Sequence, residues 1–224
     1  MTPLVSVIIP THNGEQYLAE AIESILKQSY PNYEILVLDN GSRDQTERIA
    51  KSFPQVSYSY SEIPSAAAAR SHGVSLARGE YISFLDQDDV WAPHKLSKQV
   101  EFLQSNPQYG AVIGLQQMYL QPGNSKPHWL KQIFLEQPQI AYLPSALMVH
   151  RTTFSKTENF NTALPLASDV AWFFKAYHLG IPIGILEEVV VHRRIHSDNM
   201  SNKHTALQKE ILSAIKNSLR ERRQ

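Results

Sequence analysis

Residues 79–91 read GEYISFLDQDDVW, and the change from apolar to acidic inside this stretch organises the rest of the chain. Positions 81–85 are mostly apolar, aromatic or β-branched, the pattern of a short buried strand. The run stops at three carboxylates, Asp86, Asp88 and Asp89, and a helical pattern begins near Pro93. In an open parallel sheet, ligands bind beyond the carboxyl ends of the strands. Acids crowded this closely repel one another unless a cation or a donor-rich ligand lies among them. A hard divalent ion such as Mg²⁺ suits such a turn, since it takes one or two carboxylates together with phosphate oxygens and water. Asp89 also suits a plainer role, as the N-terminal cap of the helix that follows.

Working back toward the N-terminus, strands alternate with helices. Residues 5–9 form an apolar run closed by Pro10 and the polar turn Thr11-His12-Asn13-Gly14, and Leu18, Ala21, Ile22, Ile25 and Leu26 then recur at helical spacing. Residues 34–38 make a second strand ending at Asp39, Asp44 opens a helix to about residue 53, 56–60 read as a third strand, and an alanine-rich helix spans 65–77. This order predicts an α/β fold with a doubly wound, mostly parallel sheet. Asp39 and Asp86 then face one edge. No G-x-G-x-x-G and no G-K-[ST] occurs anywhere, so a nucleotide would have to be held by carboxylates, a metal and isolated basic groups. Arg70, midway along the alanine-rich helix, is a candidate contact, with a surface salt bridge as its alternative.

Past residue 106 the pattern weakens. Positions 107–144 carry several prolines, the pair Gln116-Gln117 and His128-Trp129, and are expected to cover one end of the sheet with a loop. Residues 146–150 return to strand character. A helix over 169–178 holds Trp172, Phe173, Phe174 and Tyr177, read as core, and Gly180 closes it. Residues 183–186 and 189–191 are expected as a last strand pair leading into His192-Arg193-Arg194-Ile195-His196. From 204 a helix carries Leu207, Ile211, Ile215 and Leu219 on one stripe, and its end, 220–223, is basic. That end suits peripheral contact with anionic lipid, or simply a solvated helix terminus.

Composition bounds the function class. The chain has 224 residues, 42% of them hydrophobic, enough for one sizeable core. Lysine plus arginine and aspartate plus glutamate number 21 each, without the basic footprint of a nucleic-acid binder. The absence of cysteine excludes disulfides and thiolate chemistry. The apolar run at the start is too short to span a bilayer and lacks the basic region of a signal peptide. The expected location is cytoplasmic, with peripheral contact at the inner face of a membrane through the basic C-terminal helix.

Taken together, SVIIPTHNGEQYL, SYPNYEILVLDNGSRDQT, AAARSHGVSLARGEYISFLDQDDVW, FNTALPLASDVAWFFKA and RRIHSDNMS give the chain a resemblance to family-2 glycosyltransferases of the GT-A fold. The resemblance implies a glycosyltransferase domain over 1–203, with a nucleotide-binding half (1–106) and an acceptor half (107–203), and a C-terminal amphipathic helix over 204–224. It places Pro10, Thr11, His12 and Asn13 at the nucleotide, Asp39 on the nucleobase and Arg70 beside base and diphosphate. It puts Asp86 near the ribose, Asp88 on a divalent metal (Mn²⁺ or Mg²⁺), and Arg194 and His196 in a segment that closes over the diphosphate. Asp169 resembles the general base. The implied partners are a nucleotide-sugar donor, with UDP favoured over dTDP and GDP, and a carbohydrate or lipid-linked acceptor in cell-surface polysaccharide or glycan synthesis. Two positions depart from the family pattern: Ser168 stands where a glutamate usually precedes the base, and Ala171 where an acid follows it.

Two other readings compete. Asp86-Gln87-Asp88-Asp89-Val90 also matches the start of a haloacid-dehalogenase-type phosphatase, with Asp86 as nucleophile, although the distal acidic pair of such enzymes is absent. Ser168 and Ala171 fit a non-catalytic sugar-nucleotide-binding subunit.

Overall fold

The computed structural model describes residues 2–221, without the side chains of 204 and 218–221. The first half follows the alternation: β1 (Val5–Thr11), α1 (Leu18–Leu26), β2 (Tyr33–Asp39), α2 (Thr46–Lys51), β3 (Val56–Tyr60), α3 (Ala66–Leu76) and β4 (Tyr81–Phe84). Two of the helix starts have a local cause. Asp44 accepts from the backbone N–H and hydroxyl of Thr46 where α2 begins, and the Ser65 hydroxyl accepts from Ala68 N at the start of α3. β1 runs through Pro10 rather than stopping there, in register with Leu38 of β2. Ile8 O accepts from Leu85 N while Thr11 O accepts from Asn40 N. Alternation therefore turns the Pro10 nitrogen away from β2, toward a level that β4 no longer reaches, so no ladder bond is lost.

The second half departs from expectation. The stretch 107–144, read as a cover over the sheet, contributes the ten-residue β6 (Ala111–Leu120) to the middle of it. The expected last strand pair is one thirteen-residue strand, β9 (Ile183–Ile195). Between them lie α5 (Ile133–Glu136), β7 (Gln139–Ile140), β8 (Leu147–His150), α6 (Arg151–Thr157) and α7 (Ser168–His178). A two-residue β5 (Val90–Trp91) and α4 (Lys95–Ser105) follow the acidic turn, and α8 (His204–Glu221) closes the chain. The strand order is β3-β2-β1-β4-β8-β6-β9-β5, with β7 on β6. β1 to β4, β6 and β9 run one way, whereas β5, β7 and β8 pair antiparallel. The carboxyl ends of β4 and β9 therefore meet on one edge.

Both faces of the sheet are covered, which is why every residue of β1 is buried. Val5, Val7 and Ile9 face α1 and α4, in one cluster with Ile22, Leu96 and Val100. Ile8 faces the other way, in a cluster with Ala67 of α3, Phe154 of α6 and Trp172 of α7. Trp172 is core, as read, and Phe173 and Phe174 are partly buried, but Tyr177 is 69% exposed. Gly180 ends α7 at φ +65°, its N–H on Tyr177 O. No described helix is long and apolar enough to cross a membrane. The basic end at 220–223 lies outside the residues whose side chains are described.

The turn into β4 permits no side chain at Gly79. A Cβ there would stand 2.5 Å from the backbone nitrogen of Ser6, whose hydroxyl accepts from Gly79 N at 2.8 Å. Gly79→Ala is expected to destabilise the fold by about 1–3 kcal/mol, the usual range for overpacking. Urea unfolding measures this, and an unchanged midpoint would contradict the packing.

Candidate functional site

The acidic turn after β4 is held from several directions. Asp86 Oδ1 accepts from Arg70 Nη2 at 2.6 Å, and Asp86 N donates to Ser145 Oγ at 3.1 Å. Asp88 Oδ2 accepts from Asn199 Nδ2 at 3.1 Å and lies 2.9 Å from His196 Nε2. Asp89 does not cap α4, whose N-cap residue is His94. It is buried, and its Oδ1 accepts from Arg194 N at 3.2 Å. Helical spacing could not show this, because the partner lies 105 residues away. Burial pushes the Asp89 carboxyl well above the usual range, and Asp88 and Asp86 add to the rise.

Arg194 closes the turn from β9. Its Nε donates to Asp88 O at 3.0 Å, Nη1 to Gln121 Oε1 at 2.6 Å and Nη2 to Glu20 Oε2 at 2.5 Å. The guanidinium carbon lies 4.8 Å and 5.1 Å from the ring centroids of Tyr17 and Tyr119. In this structure the guanidinium is thus committed to holding the turn, and His196 is the basic group that faces Asp88. The middle residue of the acidic motif, Gln87, carries no charge but ties the turn to the first loop. Its Oε1 accepts from the Thr11 hydroxyl at 2.5 Å and from His12 N at 2.8 Å, and its Nε2 donates to His12 O at 3.1 Å. Sequence reasoning did not single it out.

Below the turn lies a buried polar network. Lys95 is 1% exposed, and its Nζ donates to Ser83 Oγ at 2.6 Å and Gln99 Oε1 at 2.7 Å, 4.0 Å above the Trp91 ring. Burial holds its pKa well below the ordinary lysine value. Gln99 Nε2 donates to Ala146 O at 2.8 Å and Trp91 Nε1 to Ser145 O at 2.7 Å. The lysine end of WAPHKLSKQ thus fixes the segment whose serine hydroxyl receives Asp86 N.

The remaining candidates fall on either side of α3. Asp39, 2% exposed at the end of β2, accepts from Ser42 N at 2.9 Å and from the Tyr58 hydroxyl at 2.8 Å. It borders a cavity of about 240 Å³ that Asn40, Ser61, Ala69 and His72 also line. Pro10 and Thr11 end the neighbouring strand. His12 Nδ1 lies 3.0 Å from Asn40 O, and Asn13, at φ +49°, accepts from Arg43 N through Oδ1 at 2.9 Å. On the other side of α3, a cleft of about 370 Å³ is lined by Arg70, Asp86 and Asp169. Arg70 is 9% exposed and is no surface salt bridge. Burial works against its charge, but Asp86 and Asp169 more than offset that and hold its pKa above the ordinary value.

Asp169 sits in the first turn of α7, its Oδ1 accepting from Val170 N at 2.9 Å. Burial raises its pKa, Arg70 pulls it back, and the net shift is upward. α7 has no side-chain cap of its own at Ala167. Instead Glu210 of α8 reaches across, and its Oε2 accepts from Leu166 N at 2.8 Å and Ala167 N at 3.1 Å. A carboxylate from a distant helix therefore closes the N-terminus beside Ser168, and only tertiary packing could reveal it.

Among the described residues, no three His, Asp or Glu side chains stand together as a metal site. Asp88 with His196 is one carboxylate and one imidazole. That set suits a hard divalent ion only if phosphate oxygens and water complete the shell, as they would beside a bound nucleoside diphosphate.

Comparisons with known proteins agree with this architecture. An uncharacterized glycosyltransferase of Rickettsia conorii is 34% identical over 216 residues, covering 89% of this chain. The chain spans only about a third of that relative, 35% of its length. TarS from S. aureus, solved with UDP-GlcNAc, superimposes with a TM-score of 0.71 at 23% identity, over 88% of this chain and 60% of TarS. The mannosyltransferase PcManGT of Pyrobaculum calidifontis, solved with GDP-Man and Mn²⁺, gives 0.76 at 20% identity, over 98% of this chain and 65% of the other. At those identities the two structures establish a shared fold, the GT-A type. The family model for glycosyl transferase family 2 matches residues 6–178, from the first strand through Asp169 to the end of α7, and the chain belongs to that family.

Proposed function

We propose that the chain transfers a sugar from a nucleoside-diphosphate sugar to a hydroxyl acceptor, with inversion at the anomeric carbon, in the synthesis of a cell-surface polysaccharide or lipid-linked glycan. The observation that carries this reading is the position of Asp169, which shares one cleft with Arg70 and Asp86 while α3 separates that cleft from the cavity beside Asp39. Base, diphosphate and reacting carbon can then lie in sequence along the sheet edge.

In this reading Asp39 accepts an N–H of the base, since a carboxylate oxygen with one partner retains acceptor capacity. The Pro10 to Asn13 loop flanks the nucleotide, Asp86 takes the ribose and Arg70 lies against the diphosphate. Asp88, with His196 beside it, would hold a divalent ion, Mn²⁺ or Mg²⁺. Such an ion neutralises charge that grows on a leaving phosphate. Asp169 takes the proton of the acceptor hydroxyl as its oxygen bonds to the anomeric carbon, and the bond from that carbon to the diphosphate breaks with its electron pair leaving on the phosphate. A carboxylate with a raised pKa is a stronger proton acceptor, so the upward shift of Asp169 supports this role. UDP is the favoured donor nucleotide, in keeping with the complex recorded for TarS, and the PcManGT complex supports Mn²⁺.

Calorimetric titration with UDP, GDP and dTDP, each with and without Mn²⁺, is expected to show metal-dependent binding of UDP. Asp88→Ala is expected to abolish that dependence, and unchanged affinity would remove Asp88 from the metal site. Asp169→Asn is expected to keep nucleotide affinity but lower turnover of a UDP-sugar by about 10²–10⁴-fold. Near-normal turnover would leave Asp169 a structural residue, and wild-type binding with neither transfer nor donor hydrolysis would point to a non-catalytic subunit.

The pH profile follows from the sign of the Asp169 shift. A base works ionised, so activity should fall as pH drops through a pKa above the ordinary aspartate value of 3.8. Arg70 holds that pKa down, so Arg70→Met should move the acid limb to higher pH. A limb that moves the other way would contradict the pairing.

A further inference from the structure

The cleft that holds Asp169 has unmet hydrogen-bonding capacity in its lining. Gln116 of β6 is 7% exposed, yet its Oε1 has no hydrogen-bond partner among the described residues, and neither has the buried Oγ of Ser201. Both residues line the cleft. An unsatisfied buried acceptor destabilises the fold, and each such atom in a native structure calls for an explanation. The adjacent Gln117 shows the usual outcome, with its Nε2 donating to Leu135 O at 2.8 Å.

Two aromatic rings line the same cleft. Trp129 lines the cleft with its ring anchored by a 2.9 Å bond from Nε1 to Asn202 Oδ1. Tyr142, also in the lining, is 57% exposed and stands edge-on to Phe173 at 5.4 Å. Large apolar groups left open at a cleft mark a ligand surface. Acceptor oxygens beside flat apolar faces match a pyranose, which has a rim of hydroxyl donors and a face of C–H groups. An acyl chain would cover the rings but leave Gln116 Oε1 unpaired and bury the neighbouring Arg193 against hydrocarbon.

Sheet order assigns the sugar. The base cavity lies at β2 and β3 and the acidic turn at β4, and the next strands along the sheet are β8 and then β6, which carries Gln116. We propose that Gln116, Ser201, Trp129 and Tyr142 form the acceptor subsite, which takes a sugar ring stacked on an aromatic face with a hydroxyl donating to Gln116 Oε1. This rests on the transferase reading above and adds the chemical class of the acceptor end.

Saturation-transfer NMR on the full chain tests it, with methyl glycosides of glucose, galactose and N-acetylglucosamine and with octyl glucoside, each with and without UDP and Mn²⁺. At least one methyl glycoside is expected to receive saturation at its ring C–H protons. Trp129→Ala and the nearly volume-conserving Gln116→Met should each weaken that binding tenfold or more, while UDP affinity by calorimetry stays unchanged. Saturation confined to the octyl chain, no signal from any glycoside while UDP binds, or equal binding by both variants would overturn the proposal. Glycoside binding by a protein that takes up neither UDP, GDP nor dTDP would instead overturn the donor reading and leave the sugar site standing.

Discussion

The structure depends on compensating three carboxylates packed into four residues at the end of β4. In water such a cluster is tolerable, but here Asp89 is buried and Asp86 and Asp88 are partly so, and repulsion grows as the dielectric falls. The chain answers from separate elements: Arg70 from α3, the backbone N–H and side chain of Arg194 from β9, and His196 and Asn199 from the segment beyond it. Arg70 comes from the helix just before β4, 16 residues from Asp86, and the others lie more than a hundred residues beyond the turn. The carboxylates therefore act as the point around which the two halves of the sheet are fixed.

Parallel topology makes that convergence possible. Because β4, β6 and β9 run in one direction, the residues that end them arrive at the same edge, although β9 ends more than a hundred residues after β4. The antiparallel β8 lies between β4 and β6, and the short helical turn before it supplies Ser145 against Asp86 N. α3 then divides the edge into a compartment beside Asp39 and one beside Asp169. An interior polar network under Lys95 keeps the floor of this arrangement rigid, at the cost of burying a lysine whose charge burial disfavours.

The elements that sequence reading missed share a cause. β6 carries Gly114 and two glutamines, and its register with β9 shifts between Ile113 and Gln116, so the alternation that marks a strand is broken where the strand is most central. Gly114 is small because a Cβ there would stand 2.5 Å from Val190 of β9, a reason visible only across the pair. β9 has Glu187 and Glu188 at its middle, which reads as a turn until the long ladder to β6 is seen. Gln87 and Glu210 act on backbone groups of distant loops, and no local pattern marks a side chain whose partner is a remote N–H.

Residue order encodes the α/β alternation of the first half, the strand end at Asp39 and the cluster of acids just beyond β4. These follow from short-range periodicity and from the chemistry of crowded carboxylates, both of which are local properties. Chain folding is what makes Asp89 a buried partner of the β9 backbone and not a helix cap. It also decided that Arg194 clamps the turn and that Asp169 shares a cleft with Arg70. The physical reason is that a side chain's role depends on which groups meet it after the sheet closes, and those meetings span separations that residue patterning does not encode.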